Sequence, residues 1–225
     1  HLETWELLRA LRGDADFLYV ADCKLASVNN LAHIHREGGR FVTVLPRNRK
    51  EDATFRDLLE RDQVTWVQFH EIWEDGKLLD YFRIAQPESI TAQGFRLLWI
   101  HSSVKEELDF KERCDRLDRA QRALSEFREK LLSPRSRWRD RAAVASKVEK
   151  ILSKTNTARW VRVEVIEQEE FRFRQDAPGR PSKKTRYHRT SRPRFDLKVS
   201  HDREALSRAS RNDGIFPLIT NDLAM

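Results

Sequence analysis

Asp22 is the residue best placed to do chemistry, a carboxylate closing the unbroken apolar run Phe17-Leu18-Tyr19-Val20-Ala21. A run of this length, bounded by Gly13-Asp14 before it and polar residues after it, predicts a strand buried on both faces and central in an α/β sheet. Ligands and metals collect at the carboxyl ends of strands in open α/β sheets, which is where Asp22 stands. Capping of the helix that follows accounts for the same position equally well. A second group, Arg47-Asn48-Arg49-Lys50-Glu51, follows the next strand and offers Arg47, Arg49 and Lys50 to phosphates. A third lies in the Pro-, Gly-, Lys- and Arg-rich stretch 176–194, where Arg180, Lys183 and Lys184 are candidate DNA contacts. Its Pro178-Gly179-Arg180-Pro181 shares the Gly-Arg-Pro core with which AT-hook segments enter a narrow minor groove, although a plain basic hairpin loop describes it as well.

Several other chemistries are excluded from the front rank. Cys23 and Cys114 are the only cysteines and form no CxxC pair, so neither a disulfide framework nor a structural zinc is indicated. His33 and His35 are two residues apart in a helical segment and point to different sides, which argues against a shared metal. There is no phosphate-binding Gly-rich loop of the Walker type, no Gly-x-Ser-x-Gly elbow and no His-Glu-x-x-His. The 225 residues carry a formal net charge of +7, which favours a polyanion as partner, nucleic acid first. No apolar run reaches membrane-spanning length and the first residues do not resemble a signal peptide, so a soluble cytoplasmic protein with no membrane partner is expected. The sole methionine is Met225 and the chain opens on His1, which suggests a fragment cut at both ends.

The elements that must position these residues follow from periodicity. Leu2, Trp5, Leu7, Leu8 and Leu11 describe a short helix ended by Gly13, and Ser27 to Glu37 a second one stopped by Gly38-Gly39. Phe41 to Leu45 is a strand stopped by Pro46, and helix-strand-helix-strand order predicts that it lies parallel to Phe17–Ala21. Beyond Pro46 the pattern changes to alternating short strands, Val64–Phe69, Leu78–Ile84 and Phe95–Ile100, paired antiparallel. Residues 103–153 read as a helical hairpin broken at Ser133-Pro134, followed by half-buried strands around Val161–Val165, Phe171–Phe173 and Phe195–Val199. A last strand, Ile215–Thr220, follows the turn Asn212-Asp213-Gly214.

Three segments in this order, Tyr19-Val20-Ala21-Asp22, Gly39 through Glu51 and Asp213 through Asn221, resemble the DDE transposases of bacterial insertion elements of the IS-four type. The resemblance spans nearly the whole chain and rests on the order and spacing of moderately specific motifs. It implies an α/β fold, a partial RNase H-like core interrupted by a large α+β insertion with antiparallel strands and a long helical hairpin. Residues 1–47 would supply the core, 48–211 the insertion and 212–225 the return strand. It also implies DNA transposition, with DNA (transposon ends and target) as partner, a possible homodimer in a synaptic complex, and a bacterial, DNA-associated location. In that family three acids hold two Mg2+ (or Mn2+) ions that activate water or a 3′-hydroxyl for in-line attack on a phosphodiester. Asp22 matches the second acid. The first would lie upstream of His1, and the glutamate would lie downstream of Met225. Asp213 and Asp222 are not taken as substitutes, since a turn explains the first and chain position the second. An RNase H-like nuclease and a nonenzymatic basic nucleic-acid-binding protein are the alternatives.

Overall fold

The computed structural model describes residues 1–86, 89–176 and 178–222. Ala177 of the expected basic loop and residues 223–225 of the expected return segment lie outside the described residues. The chain forms two compact units, His1–Lys111 with Arg208–Met225, and Glu112–Ser207.

The first unit is built on a mixed sheet. In chain order it contains α1 (Leu2–Arg12), β1 (Leu18–Ala21), a 3-10 turn (Cys23–Leu25), α2 (Val28–Arg36), β2 (Arg40–Val44), α3 (Lys50–Glu60), β3 (Thr65–Glu74), β4 (Lys77–Gln86), β5 (Ser89–Ile90), β6 (Arg96–Ser102) and the start of α4 (Ser103–Leu132). The end of α6 (Arg203–Ser210) and β9 (Ile215–Thr220) complete it. The strand order is β1-β2-β9-β6-β4-β3, with β5 on β6. β1 and β2 are parallel, Leu18 opposite Arg40 and Ala21 opposite Thr43, as the helix-strand alternation predicts; the other pairs are antiparallel.

The helix ends follow their punctuation. Gly13 closes α1 at φ 83°, its N–H donating to the Arg9 carbonyl, and the Ser27 hydroxyl opens α2 by accepting the Asn30 N–H at 3.2 Å. The buried face gathers Trp5, Leu31, Ile34, Phe41, Phe55 and Trp99, with the Phe55 and Trp99 rings stacked at 3.9 Å. Gly39 is fixed by this packing, because a Cβ there would stand 2.5 Å from the Trp5 ring.

One expectation is corrected by the sheet. Among the described residues β1 is an edge strand rather than a central one, and it is not buried on both faces: Val20 is 67% exposed and Tyr19 alone of its four residues is buried. A continuous apolar run reports side-chain type, not how many neighbours cover it. The strands after Pro46 belong to the same sheet, since β3, β4, β6 and β9 extend the one begun by β1 and β2. β6 is covered on both faces, whereas β3 is exposed along almost its whole length.

The second unit holds the remainder of α4, α5 (Arg141–Thr155), β7 (Val161–Gln175) and β8 (Tyr187–His201). Asp140 caps α5 by accepting the Ala142 and Ala143 N–H groups at 3.1 Å each. Leu124, Phe127 and Leu131 of α4, Val144 and Val148 of α5, and Phe195 of β8 are buried. β7 and β8 pair without interruption from Val161 opposite His201 to Gln175 opposite Tyr187. The basic loop is therefore shorter than the sequence suggests, residues 176–186, because Tyr187–Arg194 belong to β8. Arg194 is committed within this unit: its guanidinium donates to the Leu132 and Ser133 carbonyls at 2.6 and 2.7 Å, satisfying the open end of α4. Arg128 forks onto Asp196 at 2.6 and 2.9 Å, which raises the arginine's pKa and lowers the aspartate's.

α4 begins directly where β6 ends, and its first turn is held by a residue distant in sequence. The buried Asp80 of β4 accepts the Ser103 hydroxyl at 2.7 Å, the Val104 N–H at 3.1 Å and the Ser102 hydroxyl at 2.8 Å. Burial pushes the Asp80 carboxyl pKa up, but these hydrogen bonds outweigh it and hold the group below the usual carboxylate range. A depressed folded-state pKa contributes stability that is complete above the unfolded value, near 4, and is lost as pH falls through the folded one. Asp80→Ala should lower unfolding free energy in urea at pH 7 by about 2–3 kcal/mol. The variant should also lose less stability than the parent on acidification below about pH 4. An unchanged urea midpoint would refute the assignment.

Candidate functional site

Asp22 leaves the sheet at the carboxyl end of β1. Its backbone carbonyl accepts the Thr43 hydroxyl from β2 at 2.7 Å, which fixes the chain as it turns. Its Oδ1 accepts the Lys24 N–H at 3.0 Å and lies 2.9 Å from His1 Nε2, with the side chain 60% exposed. The capping role is therefore real, but it serves the 3-10 turn, while Ser27 caps α2. The exposure leaves the carboxylate accessible to a ligand as well.

The two-ion site implied by the resemblance needs more than these residues supply. A hard divalent ion takes about six oxygen ligands, mostly carboxylates and waters. Among the described residues no group of three His, Cys, Asp or Glu side chains stands together to hold a metal. Asp222 is paired with Arg40 at 3.3 Å, and Asp213 is buried in the turn before β9. His33 and His35 diverge as expected, one bonded to Glu6 at 2.5 Å and the other edge-on to Phe95 with ring centroids 5.4 Å apart. One carboxylate and an imidazole do not fit two Mg2+ or Mn2+ ions, so no step through a metal is derived from this chain.

The basic turn lies past the same end of the parallel pair as Asp22, because β1 and β2 run in one direction. Arg47 and Lys50 are exposed. Arg49 is not equivalent to them: its guanidinium forks onto Glu51 at 2.9 and 3.2 Å, which raises the arginine's pKa and lowers the glutamate's. An arginine already satisfied by a carboxylate has less to gain from a phosphate. Glu51 and Asp52 also sit in the first turn of α3, where they suit the positive end of the helix dipole.

Arg180, Lys183 and Lys184 are exposed in the loop joining β7 to β8, in the second unit. The loop is organised by Ser182 and Thr185, which exchange the Ser182 N–H to hydroxyl bond at 2.7 Å and the Thr185 N–H to carbonyl bond at 3.0 Å. Gln175 Nε2 donates to the Gly179 carbonyl at 3.1 Å. Reading the sequence alone missed the rings that flank this loop. Phe171, Phe173 and Tyr187 are 46%, 71% and 51% exposed, although alternation with charged residues predicts phenylalanines turned inward. The available signal was the interleaving of Phe with Arg in Phe171-Arg172-Phe173-Arg174, a pattern that suits nucleic acid as well as a sheet face.

No helix among the described residues is long and apolar enough to cross a membrane. Compared with known protein families, curated proteins and solved structures, the chain has no significant match to any.

These contacts separate the three cations of the basic turn. Replacing Arg47 and Lys50 together by alanine should weaken binding of duplex DNA of any sequence and reduce the slope of log affinity against log salt by about two. Arg49→Ala should leave the slope nearly unchanged. Titrations at several salt concentrations decide it, and equal effects from all three positions would show that the Glu51 pairing does not matter.

Proposed function

We propose that this chain is a DNA-binding part of a transposase of the bacterial insertion-element type, with an RNase H-like core. The observation that carries the reading is the accessible carboxylate of Asp22 at the same end of a parallel strand pair as the exposed cations Arg47 and Lys50. A carboxylate beside phosphate-binding cations is the arrangement that phosphodiester cleavage requires of one wall of its site. The motifs that resemble the transposases include this carboxylate and this basic turn, which supports the same reading.

In this proposal the 225 residues bind and position transposon-end or target DNA. Cleavage and strand transfer require carboxylates from residues flanking these, and a homodimer would pair two DNA ends. An RNase H-like nuclease would use the same carboxylate without strand transfer. A nonenzymatic nucleic-acid-binding protein is favoured by a separate observation, that among the described residues no group of three His, Cys, Asp or Glu side chains stands together.

The readings part on one substitution made in two molecules. In a protein extended by both flanks, Asp22→Asn should abolish divalent-metal-dependent cleavage and strand transfer of transposon-end DNA. It should leave DNA affinity within about two-fold, since the amide keeps the cap and loses only the charge. In the 225-residue chain the same change should alter no nuclease activity. Cleavage by the short chain that is lost with Asp22→Asn would place the remaining ligands within it. An extended protein whose cleavage survives Asp22→Asn would take this carboxylate out of the chemistry, and one that binds transposon ends without cutting them would leave the nonenzymatic reading.

A further inference from the structure

The β7–β8 ribbon changes character along its length. Its inner half is packed, with Val161, Phe195 and Leu197 buried, whereas beyond Phe171 on one strand and Ser191 on the other nearly every residue is exposed. That outer part spans five cross-strand pairs, Phe171 with Ser191 through Gln175 with Tyr187. At about 3.3 Å per residue it is roughly 17 Å of ribbon before the loop.

Charge is concentrated in the same place. Residues 171–191 contain seven arginines and lysines against one carboxylate, Asp176, an excess of six out of the whole chain's net charge of +7. The rest of the molecule carries one net positive charge. Even the one carboxylate is engaged, by His188 Nδ1 at 2.7 Å.

The register decides how rings and charges are sorted. Residues opposite one another share a face and alternate residues do too, so Phe171, Phe173, Tyr187 and Arg189 lie on one face. Arg172, Arg174 and His188 lie on the other. On the first face the Arg189 guanidinium covers the Phe171 ring at 3.5 Å, leaving Phe173 and Tyr187 as the exposed pair. They are diagonal neighbours, about 7–8 Å apart by their place in the ladder.

We propose that this outer ribbon is a platform for single-stranded nucleic acid, with unpaired bases stacked on Phe173 and Tyr187 and phosphates held by the surrounding arginines and lysines. The proposal rests on the reading of the chain as a nucleic-acid-binding protein and names a second surface for it. A polyanion is favoured by the charge excess. A single strand is preferred because the exposed ring faces of Phe173 and Tyr187 offer flat apolar surfaces that only an unstacked base can use, and Phe173 carries no donor or acceptor to read a base edge in a groove. Arginine beside the rings adds phosphate contacts and cation–π attraction without sequence preference.

The test uses the 225-residue chain with fluorescent single-stranded DNA, single-stranded RNA, duplex DNA and vesicles of anionic lipid as probes. Phe173→Leu with Tyr187→Leu keeps apolar bulk on the ribbon, and circular dichroism with the unfolding midpoint checks that the fold is intact. This variant should bind the single strands at least about ten-fold more weakly, with duplex affinity and the salt slope unchanged. Phe173→Trp should restore affinity. Arg174→Ala with Arg186→Ala should lower the single-strand salt slope by about 1.4. Single-strand affinity unchanged by the leucine variant, an equal loss for single strands and duplex, or binding to vesicles but not to oligonucleotides would each overturn the proposal. A ribbon variant without effect beside an Arg47/Lys50 variant that weakens duplex binding would reject this surface and leave the proposed function standing.

Discussion

The first unit depends on a single strand arriving from far along the chain. β9 lies between β2 and β6, and without it the sheet would separate into the pair β1-β2 and the antiparallel group that contains β3, β4 and β6. The position is demanding because β9 carries Pro217, which cannot donate to a ladder. The geometry accommodates it. The Pro217 carbonyl accepts the Leu45 N–H at 3.0 Å, and the N–H and C=O of one strand residue point to the same side. The missing donor therefore faces the end of β2, where Pro46 already terminates the ladder, and the side toward β6 loses nothing. Thr220 adds a hydroxyl bond to the Phe41 carbonyl at 2.7 Å, so the strand is tied at both ends to the parallel pair that presents Asp22.

The two candidate surfaces belong to different units and differ in kind. At the end of β1 and β2, acids and bases are interleaved: Glu51 claims Arg49, Asp52 claims Arg56 at 2.7 Å, and Asp22 faces His1. Such a site gains selectivity from position and little from long-range attraction. The outer ribbon has almost no opposing charge, and its attraction for a polyanion acts over roughly a Debye length, about 8 Å at physiological salt. In the proposed reading capture and placement are thus separable, one carried by net charge and the other by defined contacts.

The local features were legible in the sequence because their causes are local. Gly13 and Ser27 mark helix ends through backbone conformation and a side-chain cap, and the alternation of Val161, Val163 and Val165 marks a strand with one wet face. The parallel pairing of β1 and β2 followed from the intervening helix. What was not legible depended on partners elsewhere. Nothing between Phe17 and Asp22 tells that, among the described residues, β1 has a neighbour on one side only. Nothing around Arg194 tells that its guanidinium serves the end of α4 about sixty residues earlier. At the site, the accessible position of Asp22 was foreseeable from its place after a strand, whereas the commitment of Arg49 to Glu51 required side-chain geometry. Phe173 stays exposed where inward packing was expected, because alternation gives a face and not its covering.

The placement of β9 also has a consequence for the order in which the molecule assembles. Phe41 and Thr220 are joined across 179 residues, while β7 and β8 meet through a short loop. Contacts close in sequence form first because their loop-closure cost is small. The residues of Glu112–Ser207 are all available before β9 is synthesised, so the second unit can gather while β2 and β6 still present unpaired edges. Such edges are where nascent chains associate with one another. Emergence of residues 215–220 from the ribosome covers both of them at once and leaves the outer strands β1 and β3 at the edges of the sheet.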